Sequence, residues 1–130
     1  MTGKLLSLAL LLIVTLLSTP SATLAAGKGM IAVAAEGQTD TAQVSKVAAR
    51  APYYLFFNAD GELVEAVANP HLNAAGGAGP QVVDFLAARG VTMVLAGEFG
   101  GKMTAAMETK NISFKAVDGE ATAAVKSVIK

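Results

Sequence analysis

A run of small residues before a predicted helix is the strongest candidate for a binding site. Gly76, Gly77 and Gly79 surround Ala78, and Pro80 then opens an apolar helical pattern. Free backbone N–H groups and the positive end of the helix dipole favour an anion at such a position. The run lacks the lysine of a P-loop and the G-x-G-x-x-G spacing of dinucleotide-binding folds. The sequence therefore predicts an anion site that is not a nucleotide site, or, as the alternative, glycines that only allow a tight turn.

His71 is the only histidine in the chain, and it lies shortly before this glycine run. A neutral imidazole can donate one nitrogen to a metal ion. The chain has no cysteine, which excludes disulfides, zinc–thiolate sites and conventional cysteine-held iron–sulfur clusters. His71 is therefore the one predicted metal ligand, and a surface histidine without a ligand is the alternative.

Three carboxylates could support a hydrolase, namely Glu36, Asp84 and Glu98. Two-metal phosphoryl chemistry uses acidic residues that project from central strands, and the predicted central strands carry none. A nucleophile paired with a base is not visible either, because a single histidine would have to serve every such pair. A metal-dependent phosphoryl hydrolase is therefore the weaker alternative, and we predict no catalytic residue and no enzymatic activity.

Short apolar runs separated by turn residues predict the strands. Met30–Ala35 and Val91–Ala96 are continuous apolar runs, typical of strands that are covered on both faces. Tyr53–Phe57 and Glu62–Val67 are joined by an Asp-Gly turn, which predicts a hairpin. Ile112–Val117 alternates like an edge strand.

Three helices are predicted among these strands. We expect Pro80 at the first position of the first helix and Gly90 just after its end. Asn111 should end the second helix, and Asp118 should cap the third. The predicted order is β-β-β-α-β-α-β-α, and right-handed crossovers then give a mixed five-stranded sheet of order 3-2-1-4-5. This is a single α/β domain with a ribonuclease-H-like topology.

The switch point of such a sheet, here between strands 1 and 4, is where ligands bind. Three segments should meet there. They are Glu36 with Gly37 after strand 1, residues 71–79 before the first helix, and residues 97–101 after strand 4.

The N-terminal segment predicts export. Lys4 precedes the almost unbroken apolar run Leu5–Leu17, and small residues follow up to Ala25, as in a cleaved signal peptide. As a helix this run would cover only about 20 Å of a hydrocarbon core about 30 Å thick, so we predict no stable membrane anchor. We expect residues 1–25 to be the signal, with cleavage after Ala25, or after Ala26 as the second choice. Residues 26–130 would then be one periplasmic or secreted domain.

The charge balance of that domain excludes one class of partner. Without Lys4, nine of the ten Lys and Arg residues remain against ten Asp and Glu. A nearly neutral chain without charged blocks does not favour nucleic acid or an anionic membrane surface.

Several short motifs lie in a characteristic order along the domain: Ile31-Ala32-Val33-Ala34, Val44-Ser45, Arg50-Ala51-Pro52-Tyr53, Asn69-Pro70, Gly76-Gly77-Ala78-Gly79, and Gly97 with Gly100. Together they resemble the dinitrogenase iron–molybdenum cofactor biosynthesis family, which includes NifX-like proteins and the C-terminal domain of NifB. The resemblance covers about residues 29–128. The sequence departs from the family pattern at Ala48-Ala49, where Phe-Gly is usual, and at Gly100-Gly101, where Gly-Pro is usual.

This resemblance implies a ribonuclease-H-like domain that binds or carries an iron–sulfur or iron–molybdenum cluster. The resemblance and the residue patterns together give the predicted cofactor-binding set: Glu36, Ser45, Arg50, Asn69, His71, Gly76, Gly77, Gly79, Gly97, Phe99 and Gly100, with His71 as the metal ligand. We predict a small exported binding or carrier protein for an anionic metal cluster, an oxyanion or a metal ion, with a protein partner that the sequence does not identify. A structural or protein-interaction module with a vestigial crevice is the main alternative.

Overall fold

The computed structural model describes residues 29–129, so the predicted signal peptide and its cleavage site lie outside the described residues. Within this range the elements follow in this order: β1 Met30–Ala35, a 3-10 helix Ala48–Arg50, β2 Tyr53–Phe57, β3 Leu63–Ala68, α1 Ala78–Ala88, β4 Val91–Ala96, α2 Gly101–Thr109, β5 Ser113–Ala116 and α3 Ala121–Val128.

The five strands form one mixed sheet of order β3-β2-β1-β4-β5, as predicted. β1 lies at its centre, antiparallel to β2 and parallel to β4. β3 pairs antiparallel with β2 at one edge, and β5 pairs parallel with β4 at the other edge. The apolar runs and the crossover rule therefore predicted the topology correctly.

Helices cover both faces of this sheet. On one face, side chains such as Ala32, Tyr54 and Val94 pack against Leu86 of α1 and Met103 of α2. The other face packs against α3 and forms a second cluster, which includes Val33, Leu55, Leu95 and Val125. Burial on both faces explains why β1 and β4 are apolar runs without alternation. Among residues 29–129, no helix has both the length and the apolar character needed to cross a membrane.

The predicted start of α1 is wrong by two residues. The helix begins at Ala78, and Gly77 precedes it in the left-handed region with φ +67°. This conformation costs glycine little, so the chain turns into the helix before the proline is reached. Pro80 occupies the third helical position, where its missing N–H would still have no partner in the helix.

The predicted cap of α3 is also wrong. Glu120 precedes this helix, and Gly119, at φ +86°, turns the chain between Asp118 and the helix start. Both predicted helix ends are confirmed. Gly90 follows α1 with φ +79°, and Asn111 follows α2 with φ +58°, so each ends its helix in a left-handed conformation.

Candidate functional site

The segment between β1 and β2, residues 36–52, crosses the carboxyl ends of β1 and β4 and is called the crossing segment below. The Ser45 N–H donates to the Ala34 carbonyl at 2.7 Å, and the Ser45 carbonyl accepts from the Gly97 N–H at 2.9 Å. The Ala48 N–H then donates to the Glu98 carbonyl at 3.0 Å. Both Ser45 and Ala48 are buried. The crevice directly between the two strands is therefore filled by the chain itself.

Gly97 allows this close crossing. A Cβ atom at this position would lie 2.8 Å from the Lys46 Cα and 3.0 Å from the Lys46 carbonyl oxygen. These distances are shorter than the 3.5 to 4.0 Å or so at which nonbonded carbon atoms pack. Gly97 also lines a shallow depression between the ends of β4 and β5. Its main role in the structure is to let the crossing segment approach β4.

A depression of about 330 Å³ lies beside the crossing segment, between the N-termini of α1 and α2. Three of the predicted binding glycines, Gly77, Gly79 and Gly100, line it together with Arg50. The remaining lining residues are Val47, Ala49, Ala78, Pro80, Gly101, Lys102 and Met103. Four of the eleven lining residues therefore belong to the predicted binding set.

The two helix N-termini present free backbone donors at this depression. The first intrahelical bonds are donated by the N–H groups of Gln81, to the Gly77 carbonyl, and of Thr104, to the Gly100 carbonyl. The N–H groups of earlier residues in each helix have no carbonyl partner within the helix. Neither N-terminus is capped by a side chain. Both helices therefore direct the positive ends of their dipoles to the same place.

The helices meet closely at Gly79. A Cβ atom there would lie 3.0 Å from the Met103 Cβ and 3.2 Å from the Met103 backbone nitrogen. Glycine at this position therefore lets the first turns of α1 and α2 touch, which brings their N-termini to one depression.

The charged side chains around this depression are both cationic. Arg50 and Lys102 line it, and no carboxylate does. The Arg50 Nη1 donates to the carbonyl oxygens of Leu72 at 2.9 Å and Ala74 at 2.8 Å. Arg50 therefore supplies positive charge and also fixes the loop that leads into the glycine run.

A buried tyrosine is hydrogen-bonded to the 3-10 helix. The Tyr54 hydroxyl donates a short hydrogen bond to the Ala48 carbonyl. Burial raises the pKa of the Tyr54 phenol far above its ordinary value, because desolvation disfavours the phenolate. The hydroxyl therefore keeps its proton and remains a donor.

His71 lies in a neighbouring depression and does not line the one between the helices. This second depression is formed by residues 69–74 with Gln81. The imidazole ring is half-buried, with its centroid 6.5 Å from that of Phe85 in an edge-on arrangement. The role of His71 as a metal ligand stays a prediction.

The other predicted site residues lie apart from the depression between the helices. Gly76 and Glu36 are exposed, and Ser45 is buried within the crossing segment. Asn69 belongs to the neighbouring depression that contains His71, and its side chain is buried. The Phe99 ring packs against Phe114, with 5.2 Å between the ring centroids. Their predicted contacts with a ligand stay predictions.

The acidic residues considered for a hydrolase do not form a metal site. Within residues 29–129, no three His, Cys, Asp or Glu side chains are grouped closely enough to hold a metal ion. Asp84 instead forms an ion pair with Lys110 at 3.4 Å. The geometry therefore does not support two-metal phosphoryl chemistry with Glu36, Asp84 and Glu98.

Comparison with known proteins identifies the family. Residues 29–130 match the family model described as "Dinitrogenase iron-molybdenum cofactor". The chain belongs to this family. The match covers all of the described domain and begins beyond the predicted cleavage site. None of the curated proteins matches the chain.

Solved structures include two similar members of this fold. A high-resolution structure of the apo form of the orange protein from Desulfovibrio gigas is 26% identical, with a TM-score of 0.72, over 76% of this chain and 85% of that one. The NMR structure of a putative NifB protein from Thermotoga is 25% identical, with a TM-score of 0.65, over 76% of this chain and 85% of that one. The family match supports a role in metal-cluster binding or biosynthesis, and these structures support the fold.

Seven of the eleven lining residues were not predicted, and three of these seven affect the charge or the apolar character of the depression. Lys102 adds the second cation, and Val47 and Met103 add aliphatic surface. A lysine directly after two glycines at a helix start is a signal that could have identified Lys102. Val47 and Met103 carry no such signal, because their position depends on how the crossing segment and α2 pack.

Proposed function

We propose that this protein binds and carries an anionic metal–sulfur cluster in the depression between the N-termini of α1 and α2, without catalysing a reaction. The observation that carries this proposal is the convergence of two uncapped helix N-termini with Arg50 and Lys102, at a depression that no carboxylate lines. Backbone N–H donors, helix dipoles and cationic side chains all favour negative charge at the same place.

The aliphatic lining favours a cluster over a small oxyanion. Val47, Ala49, Ala78, Pro80 and Met103 surround the donors. An oxyanion such as molybdate is strongly hydrated, and it would lose water bonds against these side chains without regaining them. Sulfide ligands are softer and more weakly hydrated, so they lose less on entering such a site.

The cluster would bring its own ligands. The chain has no cysteine, and no histidine, aspartate or glutamate lines the depression. The protein side of the interaction would therefore consist of hydrogen bonds, charge and van der Waals contact. Such a site can release its cargo without breaking a metal–protein bond, which suits a carrier better than an enzyme.

The test compares two dianions of the same shape, tetrathiomolybdate and molybdate. We expect the protein to bind tetrathiomolybdate at least about tenfold more tightly, because desolvation penalises the oxygen ligands more strongly. Isothermal titration calorimetry measures both affinities, with sulfate as a second oxyanion. Equal affinities would indicate a plain oxyanion site, and no binding of any probe would favour the protein-interaction module.

We further propose that the protein is exported to the periplasm or secreted. The family match begins at residue 29, so the apolar run Leu5–Leu17 lies outside the matched domain, as expected for a signal peptide. Intact-mass measurement of the protein recovered from outside the cytoplasm should give a chain that begins at Ala26. A species that retains Leu5–Leu17 would contradict cleavage.

A further inference from the structure

Asn69 does not line the proposed cluster site and belongs instead to the neighbouring depression that contains His71. Its side-chain Nδ2 donates to the carbonyl oxygens of Ala49 and Ala51, at 3.0 Å each. Its Oδ1 accepts from the His71 N–H at 2.9 Å. Only 6% of the residue is exposed to solvent. The amide group therefore makes three internal hydrogen bonds, and both of its N–H donors are used, so neither remains for an anionic ligand.

The backbone of Asn69 joins the same two loops. Its N–H donates to the Pro52 carbonyl at 3.0 Å, and its carbonyl accepts from the Leu72 N–H at 3.3 Å. Asn69 thus connects residues 49–52, which include one wall of the depression, to residues 69–72, which lead into the glycine run. Arg50 spans the same gap from the other side through the Leu72 and Ala74 carbonyls.

The direction of these bonds has an electrostatic consequence. A backbone carbonyl carries negative partial charge, so each carbonyl that faces a bound anion weakens its binding. Ala49 lines the depression, but its carbonyl oxygen accepts a hydrogen bond from Asn69. Asn69 itself does not line the depression. The oxygens of Leu72 and Ala74 are likewise bonded to Arg50. The Asn69 and Arg50 side chains therefore donate hydrogen bonds to carbonyl oxygens of the loops, which offsets the negative partial charge of those oxygens.

We propose that Asn69 is a positioning residue of the anion site, which holds the carbonyl oxygens of Ala49 and Ala51 away from the ligand and fixes the loop that carries Arg50. This inference rests on the proposed function. Only a side chain with two donors and one acceptor satisfies all three partners, which explains why an amide is used. An aspartate of the same shape would keep the acceptor and lose both donors.

The test uses Asn69→Asp and Asn69→Ala, with Asn58→Ala as the matched control. Asn58 also makes three side-chain hydrogen bonds, two accepted from Asp60 and Glu62 and one donated to Glu62, at the opposite end of the hairpin. We expect each Asn69 variant to lower the tetrathiomolybdate affinity of the folded protein by roughly tenfold, as loss of supporting residues does around metal ligands. Asn58→Ala should stay within about twofold of the wild type, although it loses a similar number of bonds.

The affinities are measured by calorimetry at a temperature where circular dichroism shows each variant to be folded. A purely structural Asn69 would lower the melting temperature and leave the affinity of the folded protein at the wild-type value, which would overturn the inference alone. Failure of both Asn69 variants to fold, with Asn58→Ala folded, would also overturn it by making Asn69 a determinant of the fold. A wild type that does not bind tetrathiomolybdate would instead refute the proposed function, and this inference with it.

Discussion

Gly97→Ala should lower the free energy of unfolding by about 1–3 kcal/mol, because the added methyl group has no space. Its Cβ would meet the backbone of Lys46 at 2.8 to 3.0 Å, and backbone atoms cannot move aside as the end of a side chain can. The crossing segment would have to lift from β4, which strains the hydrogen bonds from Gly97 to Ser45 and from Ala48 to Glu98. Urea denaturation measures the change.

Gly101→Ala is the matched control for this prediction. Gly101 begins α2, and a Cβ atom there would have no atom within 4 Å outside its own neighbourhood. Alanine at a helical position reduces the entropy of the unfolded chain, so we expect an unchanged or slightly higher free energy of unfolding, by up to about 1 kcal/mol. Equal denaturation midpoints for Gly97→Ala and the wild type would show that the segment does not cross as described.

Arg50→Gln should weaken tetrathiomolybdate binding by roughly tenfold or more, since the substitution removes two contributions at once. The positive charge at the wall of the depression is lost. The two bonds from the guanidinium to the Leu72 and Ala74 carbonyls are also lost, so the loop before the glycine run is less well fixed. Lys102→Gln should have a smaller effect, because both side chains are exposed and screened by salt, but only Arg50 also holds the loop through two hydrogen bonds.

Lys126→Gln is the charge-matched control. Lys126 lies exposed on α3, which packs on the other face of the sheet. Lys126→Gln changes the net charge of the protein by the same amount as Arg50→Gln. It therefore distinguishes the loss of Arg50 at the site from a general effect of net charge on anion binding. An equal loss of affinity in both variants would contradict a site between α1 and α2.

The topology could be predicted because its signals are local and strong. The apolar runs of β1 and β4 and the Asp-Gly turn between β2 and β3 each specify their element, and the crossover rule then leaves few arrangements. Errors arose where a single glycine changed the path of the chain. Gly77 starts α1 before Pro80, and Gly119 separates α3 from its predicted cap. The pattern indicated the left-handed position of Gly90 at the end of α1, but it did not show that Gly77 and Gly119 also adopt a positive φ.

The candidate site could be predicted only in part, for a different reason. Gly77 and Gly79 were predicted because glycines before a helix leave N–H groups free for an anion, and Gly100 was predicted from its place after β4 and from the family resemblance. The crossing segment carries no apolar periodicity, and its position depends on backbone bonds to residues far along the chain, such as that of Ser45 with Gly97. Its neighbour Val47 was therefore not predicted to line a site.

The position of His71 shows the same limit. His71 precedes the glycine run by only a few residues, which led us to predict it at the same site. Asn69 accepts a hydrogen bond from the His71 N–H and holds residues 69–74 in a compact turn, so the imidazole lies in the adjacent depression beside Phe85. Distance along the chain did not predict on which side of the loop the side chain would lie.

The position of the bound anion decides whether the cluster site lies between the two helix N-termini. Two-dimensional amide NMR of the isotopically labelled protein, titrated with tetrathiomolybdate, reports which backbone N–H groups the ligand approaches. We predict the largest shifts at Gly77 and in the first turns of α1 and α2, residues 78–79 and 101–103, with smaller shifts at Arg50. Shifts confined to residues 69–74 and Gln81, or spread without a centre, would contradict a cluster site between the two helix N-termini.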